Sequence, residues 1–289
     1  MIQLIVSDMD GTLLNDKLAI SDVNREAIHT AKKAGIDFMV ATGRGYTEAV
    51  PALIEAGISC PVISVNGGQI FDENGDLDQN LGIDKERTRN ILELVKEQGL
   101  YAEVVTTHGV FSEDKIRRVE MMTTLLHKTN AHTTFKMALI LALARMELLE
   151  INYIHDYQEL LADEDTQVLK VLVFSDNGQS ELDPLRNEVE KDDQLVVTSS
   201  FKNNIEINHY QAQKGIALER YAKARNIPLD RIMAIGDNFN DVSMLQKAGV
   251  SFAMENAEPG VKKYAKYLTS LNTDHGVAEA ILRCINEKL

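Results

Sequence analysis

Two aspartates, Asp8 and Asp10, stand two residues apart directly after the apolar run of residues 2–6. Carboxylates this close repel each other and are poorly stable as a bare buried pair, so a cation should sit between them. Hard carboxylate oxygens favour Mg2+. A calcium loop fails on spacing. Counted from Asp8, its sixth residue is Leu13 rather than Gly and its twelfth is Ala19 rather than Glu. The plain alternative is an acidic surface turn. Gly11 lets the chain turn after the pair, and Thr12 adds a hydroxyl.

Three more groups of polar residues close apolar runs. Thr42-Gly43-Arg44-Gly45 follows residues 36–41, Asn66-Gly67-Gly68 follows 61–65, and Gly236-Asp237 follows 231–235, with Asn240 and Asp241 just beyond. Asp237 and Asp241 are four apart, one helical turn, and can share a face. Each group also has an ordinary reading. Thr42 alone would be a helix cap. Arg44 is either a surface ion pair or a contact for a substrate anion. Asn66-Gly67 is either a turn or a ligand contact, and Asn240 either a cap or part of the site. Lys214 in isolation is a solvated helix start. His127, His132 and His155 have no metal-ligand spacing.

These residues need elements that bring them together. Residues 2–6, 36–41 and 61–65 are short apolar runs, bounded by turn signals and separated by helical stretches at 22–33 and 46–56. That is the pattern of a parallel α/β sheet. All strands of such a sheet present their carboxyl ends on one edge, where open α/β sheets bind ligands. Period two sends the side chains of Asp8 and Asp10 the same way. Residues 69–81 read as a hairpin turning at Asn74-Gly75. The regular alternation then breaks. Helices are expected at 84–98 and 181–191, strands at 100–112, 166–174, 194–199 and 204–208, and a largely helical stretch from about 113 to 163. The α/β pattern returns with a helix at 214–225, a strand at 231–235, a helix to 248, a strand at 250–253 and a helix at 277–287. The expectation is a doubly wound core of 1–83 and 209–289, interrupted by an α+β domain of 84–208. Met121, Met122 and residues 137–144 are assigned to packing surface in that insertion.

Composition narrows the function. The 289 residues carry 30 Lys plus Arg against 44 Asp plus Glu, a net charge of −14. A nucleic acid or an anionic membrane is a poor partner for such a chain. No apolar run approaches the roughly 20 residues of a membrane helix. Two cysteines without metal spacing fit reduced thiols in the cytoplasm. Nothing in the composition speaks to oligomeric state.

Taken together, Asp8-x-Asp10-Gly11-Thr12, Thr42, Lys214 and Gly236-Asp237-x-x-Asn240-Asp241 resemble the four-motif signature of the haloacid dehalogenase-like superfamily. Ala41-Thr42-Gly43-Arg44 and Asn66-Gly67-Gly68 resemble its Cof-type sugar-phosphatase subfamily, which carries a large α/β (type IIB) cap. Tyr210-Gln211-Ala212-Gln213 departs from the small residues expected before the lysine. The resemblance implies that Asp8 attacks phosphorus and that Asp10 is the general acid and base. With a pKa near 4, Asp8 would need no activating base. Mg2+ would be held by Asp8, Asp237 and the main-chain carbonyl of Asp10, with Asp241 a further ligand or a support. Thr42 and Lys214 would serve the phosphoryl group, and Gly43, Arg44, Asn66, Gly67 and Asn240 the substrate. The substrate would be a small phosphorylated metabolite such as a sugar phosphate. The rivals are a phosphotransferase or mutase, and a non-catalytic sensor of a phosphorylated metabolite.

Overall fold

The computed structural model describes residues 1–129, 132–148, 151–199, 203–287 and 289. The chain forms two compact units, residues 1–81 with 211–289 and residues 82–210. These junctions lie two residues from the expected ones.

The first unit opens with β1 (Leu4–Ser7), α1 (Asp22–Lys33), β2 (Asp37–Ala41), α2 (Tyr46–Glu55), β3 (Val62–Ser64), β4 (Gln69–Phe71) and β5 (Leu77–Asn80). Local signals set these bounds. The Ser21 hydroxyl accepts the Asn24 N–H and caps α1, and Gly35, at φ +77°, takes the left-handed turn that stops it. The second unit holds α3 (Lys85–Glu97), β6 (Tyr101–Thr106), β7 (Gly109–Ser112), α4 (Lys115–Thr129), α5 (Phe135–Leu148), β8 (Ile151–Tyr153), α6 (Tyr157–Ala162), β9 (Val168–Phe174), α7 (Gln179–Val189), β10 (Leu195–Thr198) and β11 (Asn204–His209). The first unit then resumes with α8 (Lys214–Ala224), β12 (Ile232–Gly236), α9 (Val242–Lys247), β13 (Val250–Met254), α10 (Pro259–Lys262), β14 (Tyr267–Thr269) and α11 (Gly276–Glu287).

Among the described residues the first unit has an eight-stranded sheet in the order β14-β13-β12-β1-β2-β3-β4-β5. The strands from β14 to β3 are parallel, and β4 and β5 add an antiparallel edge. Alternation along the strands feeds two cores. Ile5, Phe38 and Val40 pack with α1 and α11 on one face, while Leu4, Val6, Met39 and Ala41 pack with α8 and α9 on the other. This is the doubly wound α/β core. The second unit is the α+β cap, with the strand order β10-β11-β9-β6-β7-β8. Its strands pair antiparallel except β7 with β8.

Several expectations need correction. Residues 100–112 are a hairpin rather than one strand. The Thr106 hydroxyl accepts the His108 N–H and bonds the Gly109 carbonyl, and Gly109 turns at φ +116°. The stretch 113–163 contains β8, three residues long, and β14 is equally short; runs of that length carry too little periodicity to be seen. Residues 137–144 are not all packing surface. Ala138 and Ala142 pack with Leu126, whereas Met137, Ile140, Leu141 and Leu143 are exposed.

Asn24 ties the first and last helices of the sheet unit. Its amide lies 3.4 Å from the Leu13 carbonyl and its oxygen accepts the Ala278 N–H at 3.0 Å, all out of solvent. Truncation would strand both backbone groups. Asn24→Ala is expected to lower unfolding stability by about 1–3 kcal/mol in urea titrations; an unchanged midpoint would mean that this tie contributes nothing.

Candidate active site

The carboxyl end of β1 is stitched to its neighbours. The Asp8 N–H donates to the Ile235 carbonyl of β12 at 2.9 Å, and the Thr42 N–H, just past β2, donates to the Ile63 carbonyl of β3 at 2.8 Å. Strand β1 ends at Ser7, Asp8 is still extended, and residues Met9–Leu13 form a wide turn that is non-helical at Asp10 and Gly11. Period-two alternation therefore stops after Asp8. The two carboxylates do not share one environment, contrary to expectation: Asp8 is buried, and Asp10 turns outward to Arg44.

Asp8 faces Lys214. The Lys214 Nζ donates to Asp8 Oδ1 at 2.5 Å and to Asp241 Oδ1 at 2.6 Å, and the whole lysine is out of solvent. Lys214 is thus no solvated helix start, although it does begin α8. Asp241 uses its other oxygen to accept the N–H groups of Asp237 and Asn238 at 2.9 and 3.0 Å. It is a reverse cap of the turn after β12, not one face of a helix. Gly236 is required there, since a Cβ would lie 2.6 Å from the Asp241 side chain. Asp237 accepts the Thr12 hydroxyl at 2.6 Å. Gly11, at φ +78°, leaves room for this, because a Cβ would come within 2.5 Å of Asp237 Oδ2.

The charges do not balance. Burial first, then Asp241 and Asp237, push Asp8 well above the ordinary carboxylate range, although Lys214 pulls it down. The expectation that Asp8 titrates near 4 is corrected for the site as it stands. Burial and Asp241 likewise raise Asp237 to about 6, against the Thr12 hydrogen bond. Burial works against the Lys214 ammonium, but Asp241 and Asp8 hold it above its ordinary value. Among the described residues, Asp8, Asp237 and Asp241 offer carboxylate oxygens within 4.8 Å of one another, a group able to hold a metal ion. Three carboxylates against one ammonium leave two surplus negative charges, which a divalent cation would neutralise. The donor set therefore fits one.

Other expected residues line the same end of the sheet. Thr42 is buried, and its hydroxyl accepts the Arg44 N–H at 3.1 Å. Val65, Asn66 and Gly67 have successive φ values of +49°, +56° and +108°. A β-branched residue at positive φ is strained, and such strain collects at functional sites. This turn holds the loop after β2: the Val65 N–H donates to the Arg44 carbonyl and the Asn66 N–H to the Thr42 carbonyl, both at 2.9 Å. The Asn240 amide donates to Asn66 Oδ1 at 3.1 Å. Asn66 Oδ1 also limits Gly43, where a Cβ would sit 3.0 Å away, and Gly67 abuts the Gln213 carbonyl before Lys214. In this structure Asn66, Gly67 and Asn240 brace the loops, and Arg44 binds Asp10. The inventory of candidate residues missed Thr12 as a partner of Asp237. It also missed Asn256, whose amide holds the Gly11 carbonyl at 2.7 Å and which no motif marks.

Comparison with known proteins gives the family. The haloacid dehalogenase-like hydrolase family matches residues 5–281. The chain belongs to that family. It is a Cof-type haloacid dehalogenase-like phosphatase. It is 35% identical over 280 residues to phosphatase YwpJ of Bacillus subtilis (strain 168), covering 96% of this chain and 97% of that protein. It is 31% identical over 284 residues to the 5-amino-6-(5-phospho-D-ribitylamino)uracil phosphatase YcsE of the same organism, covering 97% and 94%. A solved structure of a haloacid dehalogenase-like hydrolase from B. subtilis superposes with a TM-score of 0.85 at 34% identity, covering 97% of this chain and 99% of that one. Among the described residues, no helix of this phosphatase is long and apolar enough to cross a membrane.

The surplus charge leads to a binding test. Mg2+ is expected to raise the thermal unfolding midpoint, by the equivalent of about 2.7 kcal/mol at a hundredfold excess over its dissociation constant. Asp237→Asn should lose most of that gain. A midpoint indifferent to Mg2+ would remove the metal from the site.

Proposed function

We propose that this phosphatase is Mg2+-dependent and hydrolyses monoesters of small phosphorylated metabolites, sugar phosphates first among them, through a phosphoryl group carried on Asp8. The observation that supports this best is the buried Lys214 Nζ, 2.5 Å from Asp8 and 2.6 Å from Asp241, with Asp237 within reach of both acids. Asp8, Asp237 and the main-chain carbonyl of Asp10 would hold the metal, with Asp241 supporting them. When bound, Mg2+ would offset the surplus negative charge and that of the phosphoryl oxygens.

The chain's own groups account for the rest. An Asp8 oxygen attacks phosphorus as the bond to the ester oxygen breaks, and Asp10 gives the departing oxygen a proton. A water then attacks phosphorus and yields its proton to Asp10 while the bond to Asp8 breaks, releasing phosphate. Lys214 favours the ionised form of Asp8 against the burial that opposes it, and offsets charge on the phosphoryl group. The Thr42 oxygen accepts from Arg44, which leaves its own proton for a phosphoryl oxygen. In a chain of net charge −14, such local cations must draw in an anionic substrate. A cytoplasmic setting is proposed alongside, since the free, buried thiols of Cys60 and Cys284 fit a reducing compartment.

Asp8→Asn is expected to cut phosphate release from p-nitrophenyl phosphate by roughly 10³-fold or more, and EDTA should stop the wild type until Mg2+ is restored. Turnover that survives in the variant would sink the aspartyl route. Phosphate appearing in step with substrate loss separates hydrolysis from transfer to an alcohol. No turnover on any phosphate ester would favour the sensor.

A further inference from the structure

Arg44 approaches Asp10 with two donors. Its Nε lies 2.7 Å from Oδ2 and its Nη2 2.5 Å from Oδ1. A forked guanidinium fixes the plane and direction of a carboxylate, which a single contact does not. Without it the Asp10 side chain, 49% exposed, would be free to change rotamer. The fork is itself braced. The Arg44 N–H donates to the Thr42 hydroxyl, its carbonyl accepts from Val65, and its Nη1 reaches the Glu48 carbonyl at 3.4 Å. Glu48 in turn accepts the Gly45 N–H at 3.2 Å, at the start of α2. The strained turn at Val65 thus stands behind Arg44, and Arg44 behind Asp10.

We infer that Arg44 is a positioning residue for Asp10, aiming its carboxyl at the oxygen of the leaving alcohol rather than binding the substrate phosphate. The inference rests on the phosphatase mechanism above. The Nε–Nη2 edge is taken by Asp10 and Nη1 reaches the backbone of α2, so that forked edge is not offered to a phosphoryl group. It also suits both halves of the reaction. When Asp10 carries a proton on one oxygen, the other still accepts from the guanidinium. As the phosphorus–ester bond breaks and the bond to Asp8 forms, that proton moves to the departing oxygen. When water attacks, its proton returns to Asp10 as the bond to Asp8 breaks.

A leaving group that departs without a proton needs no aimed acid. The test therefore compares kcat/KM for phenyl phosphate and p-nitrophenyl phosphate, two esters of similar shape whose leaving groups differ in basicity. A positioned general acid contributes roughly 10²–10⁴-fold. In Arg44→Ala, kcat/KM for phenyl phosphate is expected to fall at least about tenfold further than for p-nitrophenyl phosphate. Arg44→Lys, which cannot fork, should fall between the variant and the wild type. Should the alanine variant not fold, the lysine variant carries the same comparison. Equal losses on both esters, or no loss on either, would overturn the role. If the wild type hydrolyses neither ester, the phosphatase reading itself fails. If it hydrolyses them and the ratio does not move, only the role of Arg44 does.

Discussion

One buried ammonium between two buried carboxylates governs the sheet unit. Lys214 lies beyond the inserted unit, yet its Nζ meets Asp8 at the end of the first strand and Asp241 past β12. Such a triad is costly to assemble, because each ion loses its water. It is costlier still to leave incomplete, because an uncompensated buried charge remains. The helix that carries Lys214 is therefore held close. The Gly215 N–H donates to the Ser243 hydroxyl at 2.9 Å, and a Cβ at Gly215 would lie 2.2 Å from the Ser243 carbonyl. Two segments far apart in sequence are pressed together at the atoms that the proposed chemistry would use.

Around this triad hydrogen bonds brace the backbone. Asp241 draws the turn after β12 back over itself, Thr12 restrains Asp237, and Asn256 restrains Gly11. The left-handed run at Val65, Asn66 and Gly67 locks the loop after β2. Its strain is offset by hydrogen bonds to Thr42, Arg44 and Asn240. A site built this way presents preformed donors and charges, which is where enzymes gain most of their electrostatic advantage.

The parallel core was legible because its strands are short apolar runs that end in polar motifs. Asp8, Thr42, Lys214, Asp237 and Asp241 stood at those ends or at a helix start. What stayed hidden was what side chains do after a strand stops. Alternation predicted one environment for Asp8 and Asp10, but the chain turns away from the sheet after Asp8 and the two diverge. Helical spacing suggested a shared face for Asp237 and Asp241, but a reverse cap joins them. The pairing of Arg44 with Asp10 spans 34 residues, and no local pattern encodes it. The elevated titration of Asp8 follows from burial and from neighbours more than two hundred residues away, which composition cannot express. In the cap, the turn at Thr107-His108 was lost inside a β-rich run.

The interruption of the sheet unit after Leu81 bears on how the polypeptide is made. Strand β1 pairs with β2 on one side and with β12 on the other. During translation the β12 side stays bare until Ile232–Gly236 has left the ribosome, and the first aspartate has no counter-ion until Lys214 has. The contiguous stretch 82–210 waits for nothing downstream, so it can close on itself first. The order of closure can thus differ from the order of synthesis: the later-made guest has every strand partner within itself, while its host's opening strand waits for β12.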